Sequence, residues 1–218
     1  MALPFETITA PTAVTVAPGA VWLRAWLTAD EQQSLVARCR AFMDGPVGGY
    51  VPTVRGGGTM RVRMTCLGRH WNARTYTYED TRGDHDGQSV EAVPAEWEAL
   101  AARLAAAAGF TMRADVCLIN WYGADGRMGM HQDKDESAGS IASGAPVVSV
   151  SLGDSARFLF GGTRRRDQVE TLRLESGDVF VFGGPARLRY HGVARVLPGS
   201  APPALGLEGR FNLTFRQY

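Results

Sequence analysis

Asn120-Trp-Tyr-Gly-Ala-Asp-Gly-Arg-Met-Gly-Met-His-Gln-Asp-Lys-Asp-Glu136 decides how this chain is read. It opens as the end of an apolar run, passes through glycine-marked turns, and delivers His131 and Asp133 two residues apart. On an extended backbone, positions i and i+2 point to the same side. An imidazole and a carboxylate so placed can share one metal ion, and a third ligand must come from elsewhere. The remaining histidines are His70, His85 and His191. His191 is the best candidate, because it alone of these sits inside a strand-like pattern. Two imidazoles and one carboxylate that leave coordination positions open form the facial donor set of non-haem Fe(II) oxygenases.

The rest of the composition sets bounds. At 218 residues the chain fits one domain with a sizeable core. A hydrophobic share of 45% excludes global disorder. With a net charge of +1, nucleic-acid binding has to come from a local patch and not from the field of the whole protein. Cys39, Cys66 and Cys117 are odd in number and never spaced as CxxC, which reads as reduced thiols. The first residues lack a basic region followed by an apolar run, and no later stretch approaches the roughly 20 apolar residues of a membrane span. The expectation is a soluble, cytoplasmic monomer.

Residues 1–20, rich in Pro, Thr and Ala without periodicity, are expected to form a flexible arm. Thr28-Ala-Asp-Glu31 is a capping box, and Leu35, Cys39, Phe42 and Met43 continue at helical spacing, predicting a helix over 29–43 that Gly45-Pro46 stops. From 45 to 90, glycines alternate with short strand-like pieces such as Met60–Cys66 and Tyr76-Thr-Tyr78, and Asp80–Ser89 is a polar loop. This region reads as a mobile cover, not as core. Pro94 begins a second helix with Trp97, Leu100, Ala101, Leu104 and Ala108 on one face, and Gly109 ends it. No good helix follows. Strand-like runs occupy 115–122, 146–152, 157–160, 169–174, 178–182, 188–196 and 210–218, most separated by glycine turns. Helices followed by many short strands predict a mainly β fold, a jelly-roll barrel or sandwich with helices outside. The division is an arm (1–20), helices and cover (21–110) and jelly-roll core (111–218), with 21–218 as a single catalytic domain.

The last strand has the clearest face pattern. Arg210, Asn212, Thr214 and Arg216 fall on one side and Phe211, Leu213 and Phe215 on the other. The two arginines are about 20 Å apart along a strand rising roughly 3.3 Å per residue, yet long side chains could converge on the ends of a small dicarboxylate. Bidentate pairing favours arginine for that task; a solvated outer face is the plain alternative. Asn120 and Tyr122 share a face one strand before the His-x-Asp pair, and each offers a neutral hydrogen bond to a carboxylate. In order, His-x-Asp, a later strand histidine and an arginine-bearing terminal strand resemble the Fe(II)/2-oxoglutarate dioxygenases. Cys-Leu-Ile-Asn-Trp-Tyr (117–122), His-Gln-Asp-Lys-Asp-Glu (131–136), Tyr-His-Gly (190–192) and Arg-Phe-Asn-Leu-Thr-Phe-Arg (210–216) are similar to the bacterial AlkB alkylation-repair dioxygenases over roughly residues 20–218.

That resemblance implies a double-stranded β-helix with the metal in its mouth. It implies that His131, Asp133 and His191 hold Fe(II), that Arg210 with Asn212 and Tyr122 grips the distal carboxylate of 2-oxoglutarate, and that Arg216 with Asn120 holds the chelating one. The implied reaction consumes O2 and 2-oxoglutarate and removes an N-methyl group as formaldehyde, leaving succinate. A flipped base needs aromatic surfaces and an edge contact. Trp71 and Tyr76 match the stacking and backbone contacts, and Asp135 the reader of the exocyclic nitrogen, suited to cationic 1-methyladenine or 3-methylcytosine. Arg165, within Arg164-Arg165-Arg166, matches a phosphate contact, and Arg55, Arg61, Arg63, Arg69 and Arg74 add positive charge around the cover. The partner expected is alkylated DNA, preferably single-stranded, with RNA open. Rival readings are an RNA or protein hydroxylase on the same barrel, a silent nucleic-acid-binding jelly roll, and a cupin-like metal protein or sugar isomerase, which leaves the paired arginines unexplained.

Overall fold

The computed structural model describes residues 10–218. It opens with the hairpin β1 (Thr12–Ala17) and β2 (Ala20–Arg24), followed by helix α1 (Ala29–Asp44). Strands β3 (Arg63–Leu67), β4 (His70–Asn72) and β5 (Thr77–Glu79) precede helix α2 (Ala95–Ala107). Then come β6 (Val116–Tyr122), β7 (Met128–His131), the short helix α3 (Ala138–Ser143), β8 (Val147–Gly153) and β9 (Ser155–Phe160). The chain closes with β10 (Glu170–Leu174), β11 (Val179–Phe182), β12 (His191–Leu197) and β13 (Arg210–Arg216).

These strands make a major sheet in the order β1-β2-β11-β8-β13-β6-β3, a minor sheet β10-β9-β12-β7, and the separate hairpin β4–β5. The two sheets face each other through an aromatic cluster: Phe158 of β9 lies 5.0 Å from Phe180 of β11, and Phe160 lies 4.9 Å from Phe180. The mainly β jelly roll read from the sequence is the observed architecture. Both long helices cover the outer side of the major sheet, where Leu213 and Phe215 join Trp97, Leu104 and Cys39 in one buried cluster. Trp97 meets Phe215 edge-on at 6.0 Å, a geometry worth about 0.5–1.5 kcal/mol beyond the area buried. Period-2 alternation on β13 therefore leaves Arg210, Asn212, Thr214 and Arg216 for the space between the sheets. No helix among the described residues is long and apolar enough to cross a membrane.

The capping box is present: Glu31 N–H donates to Thr28 Oγ1 at 3.2 Å, and Thr28 N–H to Glu31 Oε2 at 2.8 Å. Pro94 stands one position before α2, as its N-cap, and its carbonyl accepts from Trp97 and Glu98. Four expectations need correcting. Residues 12–20 of the expected arm belong to the hairpin β1–β2, whose second strand pairs with β11; residues 1–9 lie outside the described residues. Helix α3, capped by Ser137 and closed by Gly144 at φ +68°, follows Gly109 where no helix was expected. Strand β7 lies outside the strand-like runs of the sequence.

The cover is the fourth. β3 pairs with β6 in the major sheet, and Met64, Cys66 and Leu67 are buried. The polar loop 80–89 is pinned from beneath: His70 Nε2 lies 2.6 Å from Asp84 Oδ1, both side chains about 1% exposed. Asp84 also accepts from Ala73 N–H at 3.1 Å and from the Tyr50 hydroxyl at 3.3 Å. His70 thus also lies on a strand, but it is spent on this structural pair. Asp84→Ala strips a buried histidine of its partner and should cost roughly 1–3 kcal/mol, read from the shift in denaturant midpoint; a cover free of the body would give no shift.

Candidate metal and co-substrate site

The site grows out of strand register. His131 ends β7, His191 begins β12, and the two are direct cross-strand partners, so their rings lie 4.4 Å apart. Gly192 lets the strands come this close, since a Cβ there would stand 2.7 Å from the Met128 carbonyl oxygen. Asp133, two residues beyond His131, turns its carboxylate back between the imidazoles: Oδ1 is 3.5 Å from His131 Nε2 and Oδ2 is 3.6 Å from His191 Nε2. One donor atom from each residue falls within 4.8 Å of the others.

Backbone carbonyls fix the tautomers. His131 Nδ1 is 2.9 Å from Gly129 O and His191 Nδ1 is 3.1 Å from Arg189 O. A carbonyl only accepts, so each Nδ1 carries the hydrogen and each Nε2 presents a lone pair. Buried Asp133 Oδ2 has no hydrogen-bond partner among the described residues. Two imidazoles that turn Nε2 inward plus a carboxylate oxygen without a partner among the described residues, open on the cavity side, fit an Fe(II) ion.

Burial alone would push the Asp133 carboxyl up. The Arg216 guanidinium, 2.8 Å from Oδ1, with His191 and His131 beside it, outweighs burial and holds that carboxyl well below the usual carboxylate range. Burial pushes the His191 imidazole down to about 4. His131 moves up although desolvation opposes the shift, because Asp133 favours its charged form.

Beside the triad lies a cavity of about 490 Å³. Arg210, Asn212, Thr214 and Arg216 line it together with Asn120 and Tyr122 of the neighbouring strand β6. Arg210 is 1% exposed; it donates to Ser151 Oγ at 2.6 Å and to Asp154 O at 3.2 Å, and its Nε has no partner. Burial pulls its guanidinium down to about 10. No carboxylate among the described residues pairs with it, so this is a built cation waiting for an anion. Asn120 Oδ1 is likewise buried without a partner. Asn212 has less to offer, since its amide nitrogen already donates to Ser149 Oγ at 2.8 Å and Val150 O at 2.9 Å.

The expected base-contact residues reach the same cavity: Trp71, Tyr76, Asp135 and Arg165 all line it. Trp71 Nε1 donates to Asp135 Oδ2 at 2.8 Å. Burial pushes the Asp135 carboxyl up, and this hydrogen bond opposes the shift. Tyr76 sits at the turn between β4 and β5 with φ +59°, a conformation uncommon for a residue with a Cβ; its ring lies 5.9 Å from Trp71. The positive charge around the cover is thinner than its arginine count suggests. Arg61, Arg63 and Arg69 are ion-paired with Asp125, Asp44 and Asp80, and Arg55 lies over the Tyr76 ring at 5.5 Å. Tyr78, Arg187 and Ser149 were not singled out from sequence. Only the Tyr76-Thr-Tyr78 alternation hinted at the first.

A model of the 2OG-Fe(II) oxygenase superfamily matches residues 19–216. AlkB of Salmonella typhimurium, an alpha-ketoglutarate-dependent dioxygenase, is 38% identical over 95% of this chain and 94% of its own length. The chain belongs to the AlkB family of 2OG-Fe(II) oxygenases. The family's cofactor and co-substrate, Fe(II) and 2-oxoglutarate, fit the triad and the arginine-lined cavity. The DNA N(6)-methyladenine demethylase ALKBH1C of Arabidopsis thaliana is 42% identical over 93% of this chain and 49% of its own length. The chain therefore spans about half the length of that plant relative. A solved structure of OsALKBH1 superposes with a TM-score of 0.89 at 37% identity, covering 95% of this chain and 100% of the other.

The sign of the His191 shift gives a test. Its unfolded imidazole takes up a proton near pH 6.5 and its folded one only near about 4. Between those values the unfolded chain binds more protons, so stability falls as pH falls. Thermal melts of metal-free protein from about pH 7 to about pH 5 should show a steeper loss in the wild type than in His191→Gln; parallel losses would mean that this histidine is not held neutral.

Proposed function

We propose that this protein is a DNA oxidative demethylase that restores N-alkylated bases, 1-methyladenine and 3-methylcytosine, using Fe(II), 2-oxoglutarate and O2. The methyl carbon is oxidised and leaves as formaldehyde, while 2-oxoglutarate loses CO2 and becomes succinate. The observation that carries this reading is one cavity walled by three groups of residues: the His131–Asp133–His191 triad, the unpaired Arg210, and the Trp71–Asp135 pair.

Bound Fe(II) would supply the activation of O2. The chain supplies placement. Arg210, with Tyr122 beside it, would take the distal carboxylate of 2-oxoglutarate, and Arg216 with Asn120 the carboxylate nearer the metal. Trp71 and Tyr76 offer aromatic faces to an extruded base. Asp135, held by Trp71, places negative charge at the cavity edge, where the cationic ring of 1-methyladenine or 3-methylcytosine would be favoured over a neutral one. Arg165, 3.4 Å from Met130 O at the cavity mouth, would meet a phosphate.

A second reading is demethylation of N6-methyladenine, which the name of the plant relative supports. It needs the same oxidation at a neutral base. Mass spectrometry of single-stranded oligonucleotides carrying 1-methyladenine or N6-methyladenine, with Fe(II), 2-oxoglutarate and air, separates the two. Loss of methyl from the first, dependent on 2-oxoglutarate, is expected. Faster loss from the second would overturn the cationic preference, and succinate release with neither methyl lost would move the substrate to RNA or protein.

Two variants check the roles. Arg210→Ala removes a buried cation from its carboxylate, a loss of about 2–5 kcal/mol, so the 2-oxoglutarate KM should rise roughly 30-fold or more; an unchanged KM would mean the strand face was misread. Asp135→Ala should change the ratio of 1-methyladenine to N6-methyladenine turnover more than it changes 2-oxoglutarate consumption without substrate. Equal losses would take Asp135 out of base recognition.

A further inference from the structure

Behind the cavity lies a buried polar cluster that the proposed reaction does not use. The Glu136 side chain has no exposed surface and faces two hydrogen-bond donors and a second guanidinium. Arg187 Nη2 donates to its Oε2 at 2.8 Å, the Tyr78 hydroxyl donates to its Oε1 at 3.3 Å, and Arg216 Nε lies 3.3 Å from the same Oε1. Arg216 also donates through Nη1 to the Tyr78 hydroxyl, and Arg187 donates through Nη1 to the Asp133 carbonyl. Arg216 lines the cavity; Tyr78, Glu136 and Arg187 do not. Whatever they contribute to ligand binding must pass through Arg216 or through the loop 133–136.

The geometry divides the Arg216 guanidinium into two edges. Nη1 donates to Tyr78, and Nε, which makes no hydrogen bond, lies 3.3 Å from Glu136 Oε1, while Nη2 pairs with Asp133 Oδ1 at 2.8 Å. Asp133 also belongs to the metal-ligand group. Asp133 Oδ2, which has no hydrogen-bond partner among the described residues, is the oxygen that would meet a metal ion, so Oδ1 stays with Nη2 and the guanidinium stays held from both sides. The second hydrogen of Nη2 is then the donor left for an incoming carboxylate. Without Glu136, Arg187 and Arg216 lose the carboxylate that lies between them, and Asp133 is left as the one carboxylate beside Arg216, drawing it toward the metal ligand and away from the co-substrate.

A second contact ties this cluster to the base platform. Trp71 and Tyr78 are direct cross-strand partners on the β4–β5 hairpin. Side chains so paired stand on one face, and here they bond consecutive acids: Trp71 to Asp135 and Tyr78 to Glu136. The hairpin that carries the base platform is thereby fixed to the loop that carries the metal ligand Asp133.

We propose that Glu136 and Tyr78 are positioning residues for co-substrate binding, holding Arg216 from behind so that its Nη2 side faces the cavity and serves the carboxylate of 2-oxoglutarate. This rests on the 2-oxoglutarate reading given above.

The test is calorimetric titration of 2-oxoglutarate into the Zn(II)-loaded protein, in which no turnover occurs, for wild type, Glu136→Gln and Tyr78→Phe, with Zn(II) affinity measured alongside. Glu136→Gln should weaken 2-oxoglutarate binding about tenfold or more, and Tyr78→Phe about threefold or more, as expected for hydrogen bonds to charged groups. Zn(II) affinity should stay near the wild-type value in both. Where Glu136→Gln fails to fold for want of a partner for Arg187, Tyr78→Phe, which keeps its ring against Tyr218, decides alone. Unchanged 2-oxoglutarate affinity in the folded variants overturns the positioning role and leaves the functional reading intact. Equal losses of Zn(II) and 2-oxoglutarate affinity would mark general loosening and overturn it too. A wild type that does not bind 2-oxoglutarate removes the functional reading, and the positioning role with it.

Discussion

A carboxylate taken out of water needs positive partners or loses its charge, and Asp133 carries that constraint for the whole site. It is 5% exposed and lies among His131, His191 and Arg216. Arg216 pairs with its Oδ1, and its Oδ2 has no hydrogen-bond partner among the described residues. A dication held by the three ligands would satisfy that second oxygen and bring positive charge that a new anion would balance. Arg210, buried without a carboxylate, already demands one. Metal and dicarboxylate therefore suit the site as a pair, one restoring the balance that the other disturbs.

The fold meets this demand with strand alternation alone. β13 runs between β8 and β6, so its two faces see different worlds. Phe211, Leu213 and Phe215 sink into the helix-covered core, which fixes the register; a one-residue slip would drive two arginines into that core. The opposite face then has to present Arg210 and Arg216 to the space between the sheets. On the minor sheet, the pairing of β7 with β12 places His131 across from His191 with no loop to adjust. The positions of the ligands are thus consequences of core packing.

This division explains what the sequence revealed. His131 with Asp133 and the two faces of β13 are local patterns of period two, readable in a few residues. The hairpin β1–β2 was illegible because Thr12-Ala-Val-Thr-Val-Ala17 is mostly exposed and short of apolar contrast; it is a strand because β2 finds β11. Helix α3 has only six residues, and its Ser137 cap resembles any polar turn. Charge counts also misled around the cover, since the pairing of Arg61, Arg63 and Arg69 with acids up to 64 residues away depends on the finished fold. The Glu136–Arg187 pair spans 51 residues and the Tyr78–Arg216 contact 138. No window along the chain contains either, though Glu136 ends the very stretch that identifies the site.

Asp133 can be probed directly by titrating metal into metal-free protein under anaerobic conditions, wild type against Asp133→Asn, a substitution of nearly equal shape that removes the charge and turns one accepting oxygen into a donor. The account predicts one Fe(II) bound per chain by the wild type and no measurable binding by the variant. Stoichiometric binding that survives in Asp133→Asn would place the metal elsewhere and contradict the account at its centre.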